Sequence, residues 1–132
     1  MRILRIGIAG LGTVGCGLIK FVTGSGPLAQ AVQIVGVTAR SRDKQRDVDI
    51  APYAWFDDPV ALATSPDVDV FVELIGGAQG SAKDAVEAAL NAGKHVVTAN
   101  KALLAEHGAA LAKLAAANHA QIRYEAAVAG GI

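Results

Sequence analysis

The hexapeptide Gly10-Leu11-Gly12-Thr13-Val14-Gly15 has G-x-G-x-x-G spacing, and the apolar run from Ile3 to Ala9 feeds directly into it. A helical pattern follows at once. Strand, glycine turn and helix in that order are what cradles a dinucleotide pyrophosphate. Gly10 lets the chain turn sharply off the strand, Gly12 keeps side-chain atoms away from a phosphate, and Gly15 lets the helix lie close on the sheet. Leu11, Thr13 and Val14 complete the turn. There the free N–H groups and the positive dipole end of the helix attract negative charge. The competing reading is a tight turn that binds nothing, and the flanking strand and helix weigh against it.

Which nucleotide such a turn holds is decided after the second strand. A site for an unphosphorylated ribose places Asp or Glu there to bond the 2′-hydroxyl. This chain has Ala39-Arg40-Ser41-Arg42 instead. The Arg40 guanidinium suits bidentate pairing with a 2′-phosphate, and the Ser41 hydroxyl suits a further bond. A solvated basic loop is the bland alternative, since Lys44 and Arg46 follow and Asp43 and Asp47 offset them. The segment favours NADP(H) and leaves NAD(H) open.

In an open α/β sheet the ligand crosses the carboxyl edge at the topological switch point. Glu73-Leu74-Ile75-Gly76-Gly77, Thr98-Ala99-Asn100-Lys101 and the segment from Glu125 to Ile132 all fall at that edge. Gly76 and Gly77 either let the backbone approach a nicotinamide ribose or form a plain loop. Thr98 and Asn100 are expected as cofactor contacts beside Lys101. A lysine at a strand end polarises a carbonyl or holds a substrate carboxylate. Taken alone, Lys101 reads more readily as a solvated residue starting a helix.

The elements that must position these groups alternate along the chain. Val14, Leu18, Phe21 and Val22 recur at helical spacing and should pack on the sheet, and Gly24, Gly26 and Pro27 break that helix. Val32 to Thr38 reads as the second strand, Arg40 to Asp49 as a loop, and Tyr53 to Phe56 as a short third strand. Asp57-Asp58-Pro59 starts a helix that stops near Ser65-Pro66, and Val68 to Ile75 is the fourth strand. Ser81 is expected to cap a helix with Ala82, Ala85, Val86, Ala89 and Leu90 on one face and Gly93 as its stop. His95 to Thr98 is the fifth strand, and Leu103, Leu104, Leu111 and Leu114 mark a helical region with a break expected near Gly108. Ile122 to Glu125 is the sixth strand. Strands separated by helices imply parallel pairing through right-handed crossovers. The expected architecture is a Rossmann-type α/β fold, a doubly wound parallel sheet of about six strands with helices on both faces.

Composition bounds the function. At 132 residues the chain is one expected domain, 1–132, with enough mass for a real core. Twelve basic residues balance twelve acidic ones, so no overall field favours nucleic acid or a membrane surface. The single cysteine, Cys16, reads as a small core residue, and Trp55 as core or interface near a sheet edge. His95, His107 and His119 lie apart, without partners at ligand spacing, and read as surface or cap residues. With no secretory signal and no apolar stretch near the roughly 20 residues of a membrane span, a cytoplasmic location is expected.

Four segments together carry a resemblance: the glycine hexapeptide, Glu73 to Gly77, Val97-Thr98-Ala99-Asn100-Lys101-Ala102-Leu103-Leu104-Ala105, and Glu125-Ala126-Ala127-Val128-Ala129-Gly130-Gly131-Ile132. In this order they resemble the nucleotide-binding part of the homoserine dehydrogenase family. The resemblance implies NAD(P)H-dependent reduction of aspartate 4-semialdehyde to homoserine, within threonine and methionine biosynthesis. It implies that Lys101 lies beside nicotinamide and substrate in a catalytic role, and that Arg40 is the adenosine-phosphate contact. It also implies a sodium ion held by main-chain oxygens of Glu125, Val128, Gly130 and Ile132, and a homodimer for the full-length enzyme. A second catalytic lysine and the acidic substrate-binding residues belong to the family's larger substrate and dimerisation domain.

The close of the sequence at Ala129-Gly130-Gly131-Ile132 reads as a fragment, whose continuation is expected to be that substrate domain. On this reading the fragment binds cofactor with little turnover. The residues themselves leave other readings open: a reductase of another small amino-acid or semialdehyde substrate, a non-catalytic NADP(H)-sensing module, or an interaction module with a vestigial site.

Overall fold

The computed structural model describes residues 3–125. Six parallel strands form one sheet in the order β3-β2-β1-β4-β5-β6. They are β1 (Leu4–Ala9), β2 (Val32–Thr38), β3 (Ala54–Trp55), β4 (Val70–Glu73), β5 (His95–Thr98) and β6 (Ile122–Tyr124). The helices are α1 (Thr13–Thr23), α2 (Leu28–Ala31), α3 (Pro59–Ala63), α4 (Ser81–Asn91) and α5 (Lys101–Ala117). Strand order reverses between β1 and β4, which makes the carboxyl edge of that pair the switch point of a Rossmann-type α/β fold.

Side chains alternate along each strand, so each face of the sheet carries its own core. On one face Ile6, Ile8, Ile34, Val37 and Val72 pack against Leu18, Ile19 and Val22 of α1. On the other, Phe71 and Val96 pack against Leu62 of α3, Val86 and Leu90 of α4, and Leu103 and Leu111 of α5. The register steps between Ile6 and Gly7, which sets Gly7 opposite Gly36. A Cβ on either glycine would stand 2.8 Å from the Leu62 side chain. Two bare backbones therefore form the seat of α3, whose start is capped by Asp58, its carboxylate accepting from Val60 N–H at 3.1 Å.

Several expectations shift on detail. Phe21 is 53 % exposed rather than packed on the sheet, because Gly15, Leu18, Ile19 and Val22 define the buried stripe of α1. Cys16 is half-buried beside that stripe, its thiol on the Leu11 carbonyl. After the Gly24 break the chain makes one further helical turn, α2, directly before β2. Gly80 (φ +78°), not Ser81, occupies the cap position of α4, and Ser81 is already helical. Helix α5 runs unbroken through Gly108, held by buried Leu103, Leu111 and Ala115. Trp55 lies partly buried in the edge strand β3, its indole N–H donating to Asp57 at 2.8 Å and the Arg42 guanidinium 5.8 Å over the ring. His95 Nδ1 accepts from the Gln121 N–H at 3.1 Å, tying β5 to the start of β6. Among the described residues no helix is long and apolar enough to cross a membrane.

Candidate functional site at the carboxyl edge of the sheet

The glycine turn sits where β1 leaves the sheet, pinned by Gly10 N–H donating to the Thr38 carbonyl of β2 at 2.9 Å. Gly10 has φ +107°, and a Cβ there would lie 2.6 Å from the Leu74 carbonyl oxygen just past β4. No other residue type fits that conformation and that gap. A Cβ on Gly15 would collide with the Gly10 carbonyl, so the third glycine locks the helix start onto the turn. Gly12 differs: nothing lies within 4 Å of its would-be Cβ. It is also the cap position of α1, and no side chain bonds the N–H groups that follow. Helices α3 and α5 are each closed at their start by a side chain, Asp58 and Asn100, whereas α4 shares an uncapped glycine start at Gly80, which follows β4 rather than β1. An open glycine followed by uncapped helical N–H groups is a seat for an anion supplied from outside the chain.

Three clefts adjoin this seat: one of about 710 Å³ lies along α1 between Thr13, Cys16, Lys20 and the loop 44–47, and two open at the carboxyl edge of the sheet. The larger of these two edge clefts, of about 520 Å³, runs from Gly10, Leu11 and Gly12 past Thr38 to Arg40 and Ser41. Arg40 and Ser41 are exposed at its rim, available to a ligand in the cleft. The smaller, of about 180 Å³, is lined by Val14 of α1 together with Glu73, Leu74, Gly76, Ala99 and Asn100. The sheet edge thus brings the first turn of α1, the end of β4 and the end of β5 around one hollow.

The floor of that smaller cleft is a hydrogen-bonded network. Glu73, 0 % exposed, pairs in register with Thr98 on the neighbouring strand. Its Oε1 accepts the Thr98 hydroxyl at 2.7 Å, and its Oε2 accepts the Ile75 and Gly76 N–H groups at 2.8 and 2.9 Å. Thr98 Oγ1 in turn accepts from Asn100 N–H at 2.9 Å. The Asn100 Oδ1 caps α5 by accepting from Leu103 N–H at 3.0 Å, while its amide donates to the Gly77 carbonyl at 2.6 Å. Gly76 and Gly77 hold φ of +90° and +89°, which lets the loop fold back to receive both bonds. Thr98, expected as a cofactor contact, has its hydroxyl fully engaged inside the protein. Lys101 is the first residue of α5, exposed, at the same edge as Gly12. Of the residues expected to hold sodium, Glu125 donates its N–H to the Thr98 carbonyl at 3.0 Å, and Val128, Gly130 and Ile132 lie outside the described residues.

Two residues were not legible as site residues from sequence. Glu73 stood only as part of a motif, although a lone carboxylate ending the apolar run Val70-Phe71-Val72 was the available signal. Arg46 read as a solvated charge. It instead turns back to donate to the carbonyls of Lys44 at 3.1 Å, Arg42 at 3.2 Å and Ser41, and so shapes the loop that presents Arg40. Asp47, expected to offset it, pairs with Lys20 of α1 at 3.4 Å.

Comparison with known proteins agrees with this geometry. Residues 10–125 match the family model described as homoserine dehydrogenase, NAD binding domain. A homoserine dehydrogenase of Neisseria gonorrhoeae is 44 % identical across 100 % of this chain, and one of Synechocystis 39 % identical across 98 %. The chain spans about 30 % of the length of these relatives. The crystal structure of Staphylococcus aureus homoserine dehydrogenase at pH 8.5 superposes with a TM-score of 0.85 at 34 % identity, over 96 % of this chain and 33 % of that one. The chain belongs to the homoserine dehydrogenase family, as its NAD-binding domain.

Proposed function

We propose that this chain binds NADP(H), in preference to NAD(H), across the β1/β4 switch point, and that in the whole enzyme it serves the reduction of aspartate 4-semialdehyde to homoserine. The observation that carries the reading is the open Gly12 and uncapped start of α1, set between the two edge clefts. The N–H groups of Thr13 and Val14 hold the pyrophosphate, with the helix dipole adding to the attraction. Arg40 and Ser41, at the rim of the larger edge cleft, take the 2′-phosphate. The Gly76-Gly77 backbone leaves room for the nicotinamide ribose over the smaller cleft, and Asn100 fixes that loop.

The bound dinucleotide supplies the hydride in this reaction. Lys101, free of bonded partners among the described residues and at the same edge, holds the proton that the developing alkoxide takes up. The isolated chain is expected to bind cofactor without significant turnover, since it corresponds to about 30 % of its relatives' length.

Calorimetric titration of the chain and of Arg40→Ala with NADPH and NADH tests the reading. NADPH should bind the wild type more tightly, and Arg40→Ala should cost about tenfold or more in NADPH affinity while leaving NADH unchanged. Equal affinities throughout would remove the phosphate assignment, and no binding by either nucleotide would remove the proposal.

A further inference from the structure

Glu73 is a carboxylate buried to 0 % exposure, and among the described residues no cation pairs with it. Each group bonded to it is a donor. The Ile75 and Gly76 N–H groups can only donate, and the Thr98 hydroxyl, which accepts from Asn100 N–H, is placed to donate its proton to Glu73. A donor set of this kind suits the charged carboxylate. Burying such a charge is expensive, and hydrogen bonds alone do not require it. A neutral glutamine reaches the same distance, accepts the two backbone N–H groups with its carbonyl and donates its amide to Thr98 Oγ1. What glutamine lacks is the charge. Glu73 is among the residues lining the 180 Å³ cleft, beside Val14, Gly76 and Asn100, and its burial leaves its charge less screened than a surface carboxylate's.

We infer that the Glu73 carboxylate selects the redox state of the bound cofactor, favouring the oxidised nicotinamide ring, which carries a positive charge, over the neutral reduced ring. The cation that this buried charge lacks within the protein arrives with the ligand. The inference rests on the proposed placement of the nicotinamide over the smaller cleft. It makes Glu73 a specificity-determining residue acting through its field, in addition to its structural bonds to Thr98 and the Gly76 turn.

The test is titration of the wild type and of Glu73→Gln with NADP+, NADPH and 2′,5′-ADP, which lacks the nicotinamide, with folding checked by circular dichroism. The wild type should bind NADP+ about tenfold more tightly than NADPH, a preference of the size one partly screened charge supplies. Glu73→Gln should remove that preference by weakening NADP+ while leaving NADPH and 2′,5′-ADP unchanged. A purely structural role would weaken both dinucleotides equally, and that result would overturn the inference. Should Glu73→Gln fail to fold, the wild-type ratio still decides: equal affinity for the two redox forms overturns the inference and leaves the cofactor site standing. If 2′,5′-ADP and both dinucleotides all fail to bind, the cofactor site itself falls.

Discussion

The side-chain amide of Asn100 donates to the carbonyl oxygen of Gly77 at 2.6 Å, so the residue that caps α5 also fastens the loop leaving β4. One side chain thereby couples two strand tips on the same sheet edge. Its other atom caps the helix through Leu103 N–H, so the position of Lys101, one residue on, and the shape of the Gly76-Gly77 loop depend on a single rotamer.

Replacing Asn100 separates these two tasks. Asn100→Ala loses the cap and the loop bond together and should destabilise the fold by about 1–2 kcal/mol, read as a lower urea midpoint. Asn100→Asp keeps a cap acceptor but cannot donate to Gly77, and sets a negative charge against that carbonyl. It should recover much of the lost stability while leaving dinucleotide affinity impaired. Equal affinity in Asn100→Asp and wild type would show that the loop needs no such fastening.

Arg46 predicts a loop effect without direct contact to ligand. Its guanidinium gathers the carbonyls of Ser41, Arg42 and Lys44, a fan that the single ammonium of lysine cannot reproduce. Arg46→Lys should leave global stability within about 0.5 kcal/mol, as surface changes usually do. It should nevertheless speed amide hydrogen exchange across residues 40–46 and weaken NADPH binding several-fold more than NADH binding. Unchanged exchange in that loop would deny Arg46 its organising role.

Tyr53 gives a prediction at alkaline pH. Its phenol packs against the α1-side core, where burial, and then the charge of Asp49, raise its pKa above the ordinary 10.0. In the unfolded chain the phenol ionises first, so unfolding releases the proton more readily. The contribution is fully present below pH 10 and is lost as pH rises through the folded-state value. The urea midpoint should therefore drop between about pH 9.5 and 11, and Tyr53→Phe should flatten that drop. An identical slope in the variant would assign the loss to other groups.

The sheet was legible because its strands are apolar runs between clear breakers. Val32–Thr38 and His95–Thr98 have the bounds their β-branched content predicts. What sequence hides is how a helix is phased and which local rule wins against packing. Gly108 costs α5 some propensity, about 1 kcal/mol, yet Leu103 and Leu111 bury on either side and the helix continues. Phe21 fits the helical period but lies one position off the stripe that α1 buries. The glycine turn and Arg40 are sequence-local and could be named directly. Glu73 and Arg46 could not, because their roles come from partners on other segments or from backbone carbonyls that carry no signature in the side-chain sequence.

The second and third glycines of the turn yield the sharpest contrast, because they sit three residues apart with opposite surroundings. Gly12 has φ −78°, ordinary for any residue, and open space where a Cβ would stand. Gly12→Ala should therefore change stability by no more than about 0.5 kcal/mol. The methyl group would occupy the space where a phosphate approaches the helix start, so dinucleotide affinity should fall by about tenfold or more. At Gly15 the new Cβ strikes the Gly10 carbonyl, and overpacking of this kind costs about 1–3 kcal/mol. Gly15→Ala should therefore lose stability and binding together. Thermal melts and NADPH titrations on both variants separate the two effects. If Gly12→Ala binds as the wild type does, the space above Gly12 is not where the phosphate lies.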